Sequence, residues 1–244
     1  MPDILSSSTL GIYAAMAVLI GFAAFMQGLG GVGFAMFAAP VAAMFVPEMV
    51  PGTLLTLGGM VSLLTAVRER RDIRWPAAGT ALTGRALGTI IAVSALTQLT
   101  PERISVLFAV LILAAVALSI KGPKIMATKP NVAIAGVASG IMGTLTSVGA
   151  PPLAIAFQHT PGPSLRATIG TILFCGSAFS LLLLAYAGHF TLQQLMLGVA
   201  LTPFMLAGFT LSNRFRSRIS PRVLRTFLLG FCTLSAVGLI IKSL

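Results

Sequence analysis

The chain has 244 residues, of which 57% are hydrophobic and only 9% charged, against about a quarter charged in a soluble domain. A mean hydropathy of +0.99 sustained along the whole length demands several membrane spans and excludes the soluble classes. Sixteen Lys and Arg against five Asp and Glu leave a net charge of +11, but these residues gather in short loops between apolar runs. That is the pattern of cytoplasmic loops, not of a nucleic-acid surface, so lipid is expected as a partner and nucleic acid is not. Cys175 and Cys232 lie inside apolar runs, where a free cysteine is a small hydrophobe. Neither a disulfide framework nor metal-ligand spacing is present, and no metal or cofactor is expected. The first nine residues carry Asp3 and no basic residue, so the first apolar segment lacks the positive flank of a secretory signal and is expected to be retained.

In chain order, apolar stretches run from Leu10 to Val46, Leu54 to Val67, Trp75 to Leu96, Ile104 to Ile120, Val132 to Phe157, Ala167 to Ala187, Leu192 to Leu211 and Phe227 to Ile241. A spanning helix needs about 20 residues. The first stretch is far longer and is interrupted by Gln27-Gly28-Leu29-Gly30-Gly31-Val32-Gly33, which predicts two helical pieces meeting at a glycine-rich break. The fifth is interrupted in the same way by Gly143-Thr144-Leu145-Thr146-Ser147-Val148-Gly149-Ala150-Pro151-Pro152. A shift of 116 residues lays Val32-Gly33 on Val148-Gly149, Leu29 on Leu145 and Pro47 on Pro163, so the two halves are repeats.

Charge sets the expected topology. With the loop from Arg68 to Arg74 inside the cell, Gln98 to Arg103 falls outside and Lys121 to Lys129 inside. The basic loop from Arg214 to Arg225 is also inside, which puts Gly188 and His189 outside and the loop from His159 to Arg166 inside. The fifth stretch then begins and ends inside, while the first begins and ends outside. The expected fold is an all-α polytopic membrane protein of two inverted repeats, residues 1–124 and 125–244, forming one membrane domain. Each repeat has about five helical segments and opens with a broken helical hairpin, the architecture of many secondary transporters.

The string Gly28-Leu29-Gly30-Gly31-Val32-Gly33 also matches the dinucleotide fingerprint G-x-G-x-x-G, but that motif needs a strand before it, a helix after it and an acidic residue about 20 positions on within a βαβ unit, whereas here the flanks are membrane helices. Close helix packing is the ordinary use of membrane glycines. A break in lipid is different, because unpaired backbone groups are tolerated there only where protein, water or a ligand satisfies them. The amides from Gly31 to Phe34 and from Ser147 to Ala150 are therefore expected to form an anion site. Gly28, Gly30, Gly33 and Gly149 would allow close approach, and Thr144, Thr146 and Ser147 would add hydroxyls.

Arg85 sits roughly 15 Å beyond Trp75, near the centre of a core about 30 Å thick. Burying it costs about 2.5 to 3.5 kcal/mol, and no apolar segment holds a carboxylate to pair it. An incoming anion is the expected counter-ion; the plainer alternative is an arginine that binds helix carbonyls and ties the bundle together. Gln27, Gln158, His159 and Arg166 are candidates for pore lining or a gate, with solvated or loop roles as the alternative.

The paired breaks, Gln27 to Gly33 followed by Pro40, and Ser139-Gly140-Ile141-Met142-Gly143 followed by Val148-Gly149-Ala150-Pro151-Pro152, resemble the duplicated signature of the sulfite exporter TauE/SafE family over nearly the whole chain. Ala150 departs from the usual Gly-Gly-Pro pattern and leaves less room for backbone approach. The resemblance implies a bacterial inner-membrane permease for sulfite, sulfonates or other small organic anions. The expected function is thus transport of a small anion held by Arg85 and the hairpin tips. An intramembrane enzyme is the alternative, yet a rhomboid-type serine protease needs Gly-x-Ser-Gly and Val137 stands in place of its first glycine. A channel or scaffold, and assembly into a homo-oligomer, stay open at this level.

Overall fold

The computed structural model describes residues 7–123, 125–216 and 230. Its α-helices are α1 (Ser7–Gly30), α2 (Phe34–Phe45), α3 (Gly52–Arg68), α4 (Trp75–Gln98), α5 (Pro101–Lys121), α6 (Lys129–Thr146), α7 (Ala150–Ala156), α8 (Gly162–Tyr186) and α9 (Leu192–Phe215). Among the described residues there is no strand. Seven of the eight apolar stretches become helices or helix pairs; the last, Phe227 to Ile241, lies outside the described residues except for Gly230. Among the described residues four helices are long and apolar enough to cross a membrane: Gly11–Gly30, Trp75–Gln98, Gly162–Tyr186 and Leu192–Phe215.

Both breaks are shorter than the sequence suggests. The non-helical residues are 31–33 and 147–149, which the shift of 116 superposes. Glycine makes the first break, with φ at 81° for Gly31 and 129° for Gly33, a region that other residues rarely enter. The second is closed by Ser147 at φ 65°, and Pro151 and Pro152 then fit the first turn of α7, where a missing N–H costs no helical bond. The two hairpins differ in size: α1 and α2 have 24 and 12 residues, about 36 and 18 Å, whereas α6 and α7 have 18 and 7, about 27 and 10 Å.

Three long-range helix pairs build the bundle: α4 with α6, α3 with α8, and α1 with α9. In a membrane such pairing rests on close packing rather than on hydrophobic segregation, and small residues permit it. Gly84 and Gly88 of α4 interlock with Gly136 and Gly140 of α6 so closely that a Cβ on any of them would strike the backbone of the facing helix. Gly208 of α9 abuts the backbone of Gly21 in α1 in the same manner.

The surface is turned inside out relative to a soluble protein. Gln27, Ser62, Arg85, Thr89, Ser139, Thr144, Ser177 and Ser180 are all buried, while Val18, Ile91, Leu182 and Val199 are exposed. Trp75 and Tyr186 stand exposed at helix ends, where amphipathic rings anchor a chain at the membrane interface.

Candidate functional site

The two breaks wall one small cavity. Its empty space, counted to the open mouth, is about 390 Å³, and its lining includes Gly33 and Phe34 from the first break, Ser147 to Ala150 from the second, and Arg85. Gln27, Ser62 and Ser177 supply its remaining polar groups, and Leu54, Leu55 and Leu173 its apolar ones.

Arg85 is 1% exposed. Its Nη1 donates to the Ser139 hydroxyl at 2.5 Å and, more weakly, to the Ser139 carbonyl at 3.4 Å. The Ser139 hydroxyl in turn donates a hydrogen bond to the Gly149 carbonyl at 2.6 Å, so the arginine, α6 and the second break form one chain of bonds. Nε is buried without an acceptor, and among the described residues no carboxylate pairs with the guanidinium. Glycines make room for this large group. A Cβ on Gly149 would lie 2.7 Å from Nη1 and one on Gly143 3.0 Å from Nη2, while one on Gly176 would overlap Nε.

The amides are arranged differently from the expectation. Gly31 N–H donates to the Gln27 carbonyl (2.6 Å) and Phe34 N–H to Gln27 Oε1 (3.1 Å). Ser147 N–H donates to Gly143 O (2.8 Å), Val148 N–H to Thr146 Oγ1 (3.2 Å) and Gly149 N–H to Ser147 O (3.2 Å). Pro151 and Pro152 have no N–H. Of the eight amides in the two expected rows these five are tied into the fold, because an unpaired amide in an apolar medium takes the nearest acceptor; those of Val32, Gly33 and Ala150 are not among them.

Of the other candidates, Gln27 is central. It is buried, caps the start of α2 with its oxygen and donates its Nε2 to Ser62 at 2.9 Å. Ser147 lines the cavity and donates to the Pro51 carbonyl at 3.1 Å. Thr144 instead joins a buried hydroxyl cluster, 2.8 Å from Ser180 and 3.2 Å from Thr89, and Thr146 donates to Met142 O at 2.8 Å. Neither of these two threonines lines the cavity. Gly28 packs on Ser212, and Gly30 ends α1.

Gln158 is exposed and ties down the α5–α6 loop through the Pro123 and Ile125 carbonyls, so it is a loop fastener rather than pore lining. His159 is exposed in the α7–α8 turn, away from the cavity. Sequence reasoning missed Ser62, Ser139 and Ser177. The signal was present in each case, a serine on an apolar helix, but serines that bond their own helix give the same signal.

Arg166 belongs to a second polar centre. Its Nε and Nη2 hold the Glu69 carboxylate bidentately, at 3.0 and 2.7 Å, and Arg216 grips the same carboxylate. Next to Glu69 in sequence, Arg68 donates to Asn213 Oδ1 at 2.8 Å and to the Gly28 carbonyl at 2.6 Å, with its guanidinium 4.7 Å from the centre of the Phe209 ring.

Buried polar side chains, an apolar exterior and two broken hairpins around a charged cavity define a polytopic helical membrane protein with an internal polar site. The chain belongs to the sulfite exporter TauE/SafE family, whose model matches residues 16–239. No curated protein and no solved structure matches it.

Proposed function

We propose that this protein is a multi-pass permease of a bacterial inner membrane that exports a small anion, sulfite or an organosulfonate, by alternating access, and that it is not an enzyme. The observation that carries this reading is Arg85: a buried cation at the depth of both breaks, facing a cavity, with one donor unpartnered and, among the described residues, no carboxylate to neutralise it. A charge so placed costs several kcal/mol unless a counter-ion visits it. The anion binds between Arg85 and the hydroxyls of Ser62, Ser147 and Ser177, with Gly33, Gly149 and Ala150 as the close backbone walls. Gln27 holds the first tip in place. Export of an anion from a negative-inside cell gains about 2.3 kcal/mol per charge per 100 mV and needs no coupled proton.

The inverted-repeat reading, with repeats at 1–124 and 125–244, draws support from the packing. A two-fold axis in the membrane plane that exchanges the repeats carries α1 onto α6 and α9 onto α4, so it exchanges the α1·α9 pair with the α4·α6 pair and keeps α3 with α8.

A melting-temperature panel on the purified protein tests the reading, since a ligand that binds the folded state raises the midpoint. Sulfite, thiosulfate or a short sulfonate should stabilise the protein saturably while chloride at equal ionic strength does not, and proteoliposomes should show counterflow of the same anion. Flux without counterflow would make the protein a channel, and neither flux nor stabilisation would leave it a scaffold.

A further inference from the structure

The Glu69 centre is built like an anion site that already holds an anion. Two guanidiniums, from α8 (Arg166) and from the end of α9 (Arg216), converge on one carboxylate delivered by the end of α3. Arg68 adds a third cation, close enough to feel the like charges of the other two, and its buried Nε has no acceptor. Asp72 also acts on Arg166, so once Glu69 is displaced the three arginines keep an excess of two positive charges, and the pairs are partly buried, with side-chain exposures of 9% for Glu69, 17% for Arg166 and 27% for Arg216.

The position of this centre matters as much as its charge. Arg166 lies ten residues before Gly176, the residue that abuts Arg85, so the centre sits about 15 Å along α8 from the cavity. The first break bridges the two: the Arg166 stem packs on Gly31, and Gly33 two residues later lines the cavity.

We propose that Arg68, Arg166 and Arg216 form a second anion site at the mouth of the transport path, in which the Glu69 carboxylate stands in for the ligand and is displaced by an entering small divalent oxyanion. This rests on the transport reading above. A sulfite- or sulfate-like ion has three or four oxygens and two charges where a carboxylate has two oxygens and one, so it matches the excess charge better and offers more acceptors to fork-shaped donors. Displacement releases the end of α3 from α8 and α9, and Gly31 transmits the change to the hairpin whose tip walls the cavity.

The test removes the stand-in on a background in which the central site is disabled. Purified Arg85→Ala protein and the Arg85→Ala, Glu69→Gln double variant are melted with increasing sodium sulfate, against sodium chloride at matched ionic strength. The double variant should be stabilised saturably by sulfate, by about 5 °C or more, and the single variant less and only at higher sulfate, because there the ion must first displace Glu69. The gain should vanish when Arg166→Gln and Arg216→Gln are added. Equal responses of the single and double variants, or a gain that survives loss of both arginines, overturns the proposal. Glu69→Asp, which keeps the charge but shortens its reach, should give an intermediate gain. If neither Glu69 variant can be extracted folded, Glu69 is an obligatory structural tie and the proposal also falls. Failure of the central reading shows separately, as wild-type affinity in Arg85→Ala alone.

Discussion

Replacing Arg85 separates the two jobs a buried arginine can do. In Arg85→Ala the bonds from Nη1 to Ser139 disappear, a loss of about 1.5 to 3 kcal/mol for a charge-assisted interaction. Against this stands the relief of about 2.5 to 3.5 kcal/mol for no longer holding a cation in the membrane interior. The space vacated joins the existing cavity and fills with water, so stability should change by no more than about 2 kcal/mol, a melting shift of under about 8 °C. Ligand affinity should fall far more. Taking the charged partner away from a desolvated anion costs about 3 to 5 kcal/mol, or roughly 150- to 5,000-fold in Kd. Arg85→Lys keeps the charge but loses the fork, and a loss of about one hydrogen bond corresponds to roughly tenfold weaker binding. The assay is a titration of sulfite or a short sulfonate against melting temperature in detergent, with counterflow in proteoliposomes beside it. An alanine variant that binds as well as the parent but melts more than 8 °C lower would show that the arginine is a tie between α4 and α6, and the reasoning from its missing counter-ion would be wrong.

Gly176→Ala places a methyl group where Arg85 Nε now lies; it should displace the guanidinium and weaken anion affinity at least tenfold, measured by the same titration, while the membrane level of the protein stays near normal. Gly140→Ala directs its Cβ at the Arg85 carbonyl and to 2.9 Å from the Thr89 amide, so transport and membrane expression should fall together, with about 1 to 3 kcal/mol lost to overpacking. Gly79→Ala meets nothing within 4 Å and should leave the melting temperature unchanged or raise it slightly; a drop as large as that of Gly140→Ala would contradict the packing argument. Gln27→Leu leaves the Phe34 amide and the Ser62 hydroxyl without their partners, a cost of about 1 to 3 kcal/mol that should appear as a lower melting temperature and faster amide exchange at the start of α2. For topology, single cysteines at Arg71 and Gln158 should be labelled from inside the cell and one at Gly188 from outside, on a background lacking Cys175 and Cys232; labelling of all three from one side would overturn the inverted arrangement.

Much of this fold was legible because a membrane imposes few choices. Apolar runs had to be helices, and a run as long as Leu10 to Val46 had to break where glycines allow it. The breaks themselves were read four and seven residues too wide, in the first case because Gly28 and Gly30 serve helix packing and helix ending rather than unwinding. The site was half legible. Arg85 stood out by chemistry alone, and its nearness to both tips followed from the depth arithmetic. The state of the amides was not legible, because pairing such as Gln27 with Phe34, or Ser139 with Gly149, depends on which helix faces which. Arg166 was recognised as a gate candidate, but its partner Glu69 lay hidden in a loop whose sequence reports only its positive charge.

The meshed glycines of α4 and α6 have a mechanical meaning. Where Gly84, Gly88, Gly136 and Gly140 nest against carbonyls of the opposite helix, sliding by a single residue would drive a side chain into a peptide plane, so the pair has no track along which to move. Arg85 lies between two of these teeth and therefore travels with the stem of the second hairpin, even though it belongs to the first half of the chain. Under the proposed alternating access the moving units are thus not the two halves of the sequence but two cross-linked couples, α4 with α6 and α1 with α9, each made of one helix from either half, and the cavity takes Gln27 from one couple and Arg85 from the other.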